Sequence, residues 1–407
     1  MSHATFEKRT HGTRPWHDFP PRRTVPVAAR CVAMCLAACT TAADVGVWLM
    51  PLDTAETGFN ATLTGVSADG LVAAGSVARR FEAPPTAPRR YAVTFSSPSA
   101  RASVSLNFEE PRDVFVWGVS GDGSTLVGLG FDNRNLSVER PFKVTTTGVP
   151  TTLPFPSNYT RGTAYAANHN GEIVVGAVEQ GQGGTSGIAV RWVGTTAQPI
   201  PSLPNTSIAS AYAVSGSGDL VAGAGDTNGW TTAFAWSPTM GTVELPRFGG
   251  SPSSTALGMS PDGRFIVGAV RTGGGGRFAR WTDLHTVEDL GLLAGYEDAF
   301  AHDVSADGSV VVGYDSNFSL PTETTLASVW TQATGHIRLS EYLSGQGISV
   351  PSGVRLTEAY GISDDGRTIV GRALIGSQRY GYVARVPTPG GAALIGVAAL
   401  LASRRRR

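Results

Sequence analysis

One short pattern recurs seven times along the chain and leaves few folds open to it: Gly65-Val-Ser-Ala-Asp69-Gly70, Gly118-Val-Ser-Gly-Asp122-Gly123, Ala166-Ala-Asn-His-Asn170-Gly171, Ala213-Val-Ser-Gly-Ser217-Gly218, Gly258-Met-Ser-Pro-Asp262-Gly263, Asp303-Val-Ser-Ala-Asp307-Gly308 and Gly361-Ile-Ser-Asp-Asp365-Gly366. From each Ser or Asn168 to the next the spacing is 53, 48, 47, 45, 45 and 58 residues, the period of a four-stranded propeller blade. Asp-Gly and Asn-Gly supply the positive φ of a tight hairpin turn. The next strand is an apolar run such as Ile173-Val-Val-Gly176 or Val310-Val-Val-Gly313, the mark of a strand covered on both faces. A third strand often ends in Trp, as in Ala189-Val-Arg-Trp192, Ala233-Phe-Ala-Trp236, Phe278-Ala-Arg-Trp281 and Ala327-Ser-Val-Trp330. Some units add a fourth, for example Thr242-Val-Glu-Leu245.

The seventh unit stops after Tyr380-Gly-Tyr-Val-Ala384, whereas Val45-Gly-Val-Trp48-Leu-Met-Pro51-Leu52 looks like the end of a unit with no beginning. The expectation is therefore all-β: a seven-bladed β-propeller of four-stranded antiparallel blades over residues 44–385, its ring closed by the N-terminal strand, which removes an open sheet edge. An open solenoid is the alternative, but it needs polar capping units. Ahead of each hairpin, small residues alternate, as in Ala164/Ala166, Ala211/Ala213, Ala256/Gly258, Ala301/Asp303 and Ala359/Gly361. Period two places them on one face, expected to be the crowded inner wall, with Trp117, Tyr165, Tyr212, Leu257, His302 and Tyr360 on the other. The loops that differ most in length between units, Ser76–Arg90 and Leu343–Val354, are where recognition is expected.

The two ends read as addresses. Arg22, Arg23 and Arg30 precede the small apolar run from Cys31 to Ala38, followed by Thr41-Ala42-Ala43, so residues 1–43 are expected to be an export signal. Leu36-Ala37-Ala38-Cys39 resembles a lipobox, which would place a lipid on Cys39; an ordinary cleavage signal is the alternative. Residues 386–407 carry Val386-Pro387-Thr388-Pro389, an apolar run from Gly391 to Ala402 and Arg404 to Arg407. As a helix that run is shorter than the ~30 Å hydrocarbon core, which argues for transient rather than permanent membrane contact. Its order resembles the PEP-CTERM sorting signals, with Thr388 where the family carries Glu. The resemblance implies handling by an exosortase-type enzyme; a plain tail anchor is the alternative.

The repeats themselves resemble the HAF-repeat family of exported bacterial proteins, whose signature is Val-Ser-x-Asp-Gly-x-x-Val-Val-Gly followed by Ala-x-x-Trp. Leu356-Thr-Glu-Ala-Tyr-Gly-Ile-Ser-Asp-Asp-Gly-Arg-Thr-Ile-Val-Gly371 matches best. Membership implies an extracellular or cell-surface location and no particular chemistry.

The sequence offers no residue to assign as catalytic, cofactor-binding or metal-binding. All three cysteines, Cys31, Cys35 and Cys39, lie near the N-terminus, so the repeats hold no disulfide or thiolate site. Residues 44–385 carry 22 basic against 30 acidic side chains, with Lys143 the only lysine, which argues against nucleic acid. His169, His285, His302 and His336 lack metal-ligand spacing and read as turn or surface residues. Gly273 to Gly276 reads as a loop, not a phosphate cradle. The turn acids Asp69, Asp122, Asp262, Asp307 and Asp365 supply too few oxygens for an EF-type calcium loop; Asp364 with Asp365, and Asp303 with Asp307, are the local pairs worth testing. Asp303 and Glu358 are the acids on which a carbohydrate-active enzyme would depend. The leading expectation is a non-enzymatic, surface-displayed module that binds extracellular polysaccharide or a surface protein. A structural coat is the alternative.

Overall fold

The repeated turn closes on itself. In the computed structural model Ser67 Oγ donates to Asp69 Oδ1 at 2.6 Å and accepts from Val72 N at 2.9 Å. Asp69 Oδ1 also takes the Leu71 amide at 2.9 Å, and Gly70 bonds back to the Ser67 carbonyl with φ near 69°. Only glycine adopts that φ without strain. The Ser-x-Asp-Gly-x-x pattern is thus a hydrogen-bonded unit in which each side chain satisfies a backbone donor that a hairpin would otherwise leave open. Ser120, Ser260, Ser305 and Ser363 repeat it with Asp122, Asp262, Asp307 and Asp365.

The structure describes residues 45–50, 60–78, 90–97, 100–102, 114–132, 135–145, 148, 150–181, 186–320 and 324–387. The export signal and almost all of the C-terminal sorting segment lie outside them, as does most of the Ser76–Arg90 loop. The fold is all-β and propeller-like. After β1 (Gly46–Leu49), strands β2 (Asn60–Val66), β3 (Ala73–Ala78), β4 (Arg90–Ser97) and β5 (Ala100–Ala102) pair antiparallel in chain order. So do β6 (Val114–Val119), β7 (Thr125–Asp132), β8 (Asn135–Thr145) and β9 (Thr151–Thr152). The order repeats in β10 (Arg161–Ala167), β11 (Ile173–Glu179), β12 (Gly187–Val193) and β13 (Thr196–Pro199), and in β14 (Thr206–Val214), β15 (Val221–Thr227), β16 (Trp230–Ser237) and β17 (Gly241–Glu244). It continues in β18 (Ser253–Met259), β19 (Ile266–Thr272), β20 (Gly275–Trp281) and β21 (Val287–Gly291), then β22 (Asp298–Val304), β23 (Val310–Ser316), β24 (Thr325–Thr331) and β25 (Gly335–Arg338). Last come β26 (Val354–Ile362), β27 (Thr368–Ile375) and β28 (Gln378–Arg385), whose outer edge is taken by β1, with Gly46 opposite Arg385 and Leu49 opposite Tyr382.

Apolar clusters form between successive runs: Val127 of β7 packs with Ala164, Val174 and Trp192, and Ala61 and Leu63 of β2 pack with Val370 and Val383. Trp192 and Trp281 are fully buried, each donating Nε1–H to a proline carbonyl, Pro154 at 2.7 Å and Pro246 at 2.8 Å. Truncating either would cost about 3–5 kcal/mol. The Leu343–Val354 segment is not simply a loop. It begins inside helix α1 (Leu339–Gly345), whose Leu339 and Leu343, one turn apart, are both buried against Ile348 and Leu356.

A chain of backbone bonds joins the turns. Ala68 N donates to Gly121 O, Asp122 N to His169 O, His169 N to Gly216 O and Gly216 N to Pro261 O; Ala306 N donates to Asp364 O and Asp364 N to Ala68 O, all at 2.8–3.1 Å. The step from residue 261 to Ala306 is absent among the described residues because Pro261 has no N–H.

Candidate functional site

The first strand of each run does not keep strict alternation. A register shift of one residue falls between Leu63 and Gly65, Val116 and Gly118, Ala164 and Ala166, Ala211 and Ala213, Ala256 and Gly258, Ala301 and Asp303, and Ala359 and Gly361. Each is a β-bulge, which leaves the middle residue unpaired and re-aims it. Opposite the bulge stands the glycine of the Val-Val-Gly signature. A Cβ on Gly176 or Gly268 would collide with the carbonyl oxygen of Thr163 or Thr255 on the bulged strand, so the glycine is required by close backbone approach.

This corrects the expectation that the small residues share the inner wall and the large ones face away. The first small residue of each pair, for example Ala164 or Ala256, is fully buried between sheets. The bulged residues Thr64, Trp117, Tyr165, Tyr212, Leu257, His302 and Tyr360 together line one cavity of about 460 Å³. Gly65, Gly118, Ala166, Ala213 and Gly258 line it too, at the point where neighbouring first strands crowd together. A Cβ on Gly118 would meet the Tyr165 carbonyl, and one on Gly258 the His302 carbonyl. Deeper toward the turns the wall is Val66, Val119, Ala167, Val214, Met259, Val304 and Ile362. At the turns it ends in Ala68, Gly121, His169, Gly216, Pro261 and Asp364.

The bulged tier is largely aromatic. Trp117 and Tyr165 lie 6.0 Å apart with planes inclined 61°, Tyr165 and Tyr212 5.0 Å apart at 55°, and His302 and Tyr360 5.1 Å apart at 84°. Trp117 is 41% exposed, and its other neighbour, Phe115, stacks at 6.4 Å. Asp303 takes the place that small residues occupy elsewhere. Its Oδ2 accepts the Ile362 amide of the next first strand and its Oδ1 the Val304 amide, both at 2.9 Å. Burial pushes the Asp303 carboxyl up to about 7 despite those two bonds, and burial pushes His302 down to about 4. Burial also raises Asp364, partly offset by His169 nearby. The Tyr165 and Tyr360 phenols are raised, chiefly by burial.

Two histidines therefore differ from the surface reading. His302 is in the cavity wall because the bulge turns it inward. The side chain of His336, in β25, is buried, its Nε2 2.8 Å from Asp315 Oδ2 and its ring edge-on to Phe278 at 4.3 Å. Asp315 is fully buried and also takes the Leu293 amide at 2.7 Å; a hidden carboxylate needs such partners. His169 and His285 are exposed, as a turn or surface reading expects. The two acids singled out for a glycosidase do not form a pair in the cavity. Glu358 is held by Arg372 and by the Tyr360 hydroxyl at 2.9 Å and is not among the lining residues. The turn acids are committed to their own turns, and hydrogen bonds from Ser120 and Ser124 outweigh burial to hold Asp122 below the usual carboxylate range. Among the described residues no three His, Cys, Asp or Glu side chains cluster as metal ligands, and no helix is long and apolar enough to cross a membrane.

No family model and no curated protein sequence matches the chain. Solved structures that resemble it include a protein assigned as TolB from Agrobacterium tumefaciens, 16% identical with a TM-score of 0.42, covering 66% of this chain and 89% of that one. TolB from Acinetobacter baumannii is 12% identical with a TM-score of 0.41, covering 66% and 65%. A structure from work on two prolyl endopeptidases is 13% identical with a TM-score of 0.47, covering 77% of this chain and 46% of that one. None of these likenesses bears on what the cavity holds.

Proposed function

We propose that the chain is an exported, cell-surface-associated binding module without catalytic activity, a seven-bladed propeller closed by β1, whose axial cavity is the recognition site. Closure is supported by the β1–β28 pairing and by the turn-to-turn bonds that return from Asp364 to Ala68. Export is supported by the signal-like residues 1–43, by the PEP-CTERM-like residues 386–407 and by the likeness of the repeats to HAF repeats. The observation that carries the binding role is the bulged tier: seven repeats put their most divergent side chains, five of them aromatic, around one cavity. Rigid aromatic faces on a fixed scaffold are suited to recognition.

Thermal unfolding of the full chain against extracellular polysaccharides and small surface metabolites tests this, because a ligand that binds only the folded state raises the midpoint. A rise that Tyr165→Leu removes is expected; no rise with any compound overturns the binding role in favour of a structural coat. Expressed with both ends intact, the protein is expected in the surface or extracellular fraction without Arg404 to Arg407. An intact cytosolic chain overturns export.

A further inference from the structure

We infer that the cavity binds a small organic cation, a free quaternary or methylated ammonium compound, over the ring faces of Trp117, Tyr165 and Tyr212. The inference rests on the reading of the cavity as a recognition site and names its ligand class.

Charge points the same way as shape. No Lys or Arg lines the cavity, and apart from histidine and tyrosine its ionisable groups are Asp303 in the wall and Asp364 at the turn end. A concave site with acidic groups and no Lys or Arg in its lining favours positive over negative ligands. Trp117, Tyr165 and Tyr212 line the cavity as consecutive neighbours, their ring planes inclined to one another by 61° and 55°. Aromatic faces attract a cation through the ring quadrupole, most strongly for Trp, and quaternary ammonium groups are well suited because they demand no hydrogen bond.

Hydrogen-bonding capacity separates this ligand from a sugar. A polyhydroxylated ring needs several free donors and acceptors, and four of the polar side chains here serve the fold. Thr64 Oγ1 donates to Val116 O at 2.8 Å, and Tyr360 donates to Glu358. Asn168 Oδ1 accepts the Ile173 amide at 2.9 Å, and Asp303 accepts two amides. A methylated ammonium group asks for none of these.

The test is titration of the full chain with choline and with its uncharged tert-butyl isostere, read by calorimetry and by indole fluorescence. Choline is expected to bind at least about tenfold more tightly than the isostere, a difference of about 1.4 kcal/mol. Trp117→Leu should weaken choline by more than about tenfold. Asp364→Asn, at the half-buried turn end where the fold uses the backbone, should weaken it by about threefold without moving the unfolding midpoint. Equal binding of choline and isostere overturns the cation and leaves an apolar recognition site. So does a Trp117-dependent response to a neutral sugar when choline gives none. No response to any of these compounds overturns the cation and the cavity's binding role together.

Discussion

The turn end and the bulged middle of the first strands stand a few residues apart and follow opposite rules. At the turn the repeats are nearly identical, and their side chains are occupied with the backbone: Ser260 and Asp262 between them take the Phe265 and Arg264 amides. At the bulge the repeats diverge into one Thr, one Trp, three Tyr, one Leu and one His, while the backbone geometry stays fixed by the bulge and its facing glycine. Repetition marks the scaffold here, and divergence on an invariant backbone marks the tier proposed to bind ligand. Changes at the two places should therefore have separable effects.

The largest effect on the scaffold should come from the glycine facing the bulge. Gly268→Ala drives a methyl into the Thr255 carbonyl and should cost about 3 kcal/mol or more. Gly273→Ala, in a loop with open space around it, should change stability by less than about 0.5 kcal/mol. Chemical denaturation of both variants checks this; similar losses would remove the bulge from the account.

Next come His302 and Asp303, which pull stability in opposite directions with pH. Folded His302 titrates near 4 against 6.5 in the unfolded chain, so the unfolded state takes up the proton first and stability is lost as pH falls below 6.5. Folded Asp303 titrates near 7 against 3.8, so the folded state holds the proton longer and stability is lost as pH rises from 4 to 7. At most the shifts amount to about 3 kcal/mol for His302 and about 4 kcal/mol for Asp303, and over most of this range the two trends offset one another. His302→Phe should gain on the parent chain as pH is lowered from about 7 to 4. A constant difference between the two chains would show that His302 titrates normally.

Smaller effects belong to the turns. Ser260→Ala leaves the Phe265 amide and Asp262 without their shared partner and should cost about 1–2 kcal/mol with no change in ligand binding. In the fourth repeat Ser217 stands where the others carry Asp or Asn, and its bonds to Ser215 and to the Asp219 amide are long, both 3.3 Å. Ser217→Asp should restore the shorter set and stabilise by about 0.5 kcal/mol; destabilisation would show that the turn motif is not interchangeable between repeats.

Much of the scaffold was legible in the sequence because its signals are local. Asp-Gly and Asn-Gly mark the turns, apolar runs mark the second strands, and the unpaired segment Val45–Leu49 marks the partner of β28. The site was legible only in part. Trp117, Tyr165 and Tyr360 stood out as the large residues between small ones, but period two sent them to the wrong face. A single-residue bulge inverts that assignment without changing composition. The one clue was the glycine of Val-Val-Gly, which nothing in a regular strand requires. The burial of His336 depends on Asp315, 21 residues away, and α1 is too short for its apolar spacing to stand out from a loop.

The most direct test of the central claim is the unfolding midpoint of the parent chain and of Trp117→Leu, each with and without saturating choline. Choline is expected to raise the midpoint of the parent only. The two unliganded chains should melt within a few degrees of each other, since Trp117 is a half-exposed tier residue rather than part of the buried core. An equal rise in both chains would place the ligand elsewhere. A collapse of the unliganded variant would make Trp117 part of the scaffold and contradict the separation of the two regions.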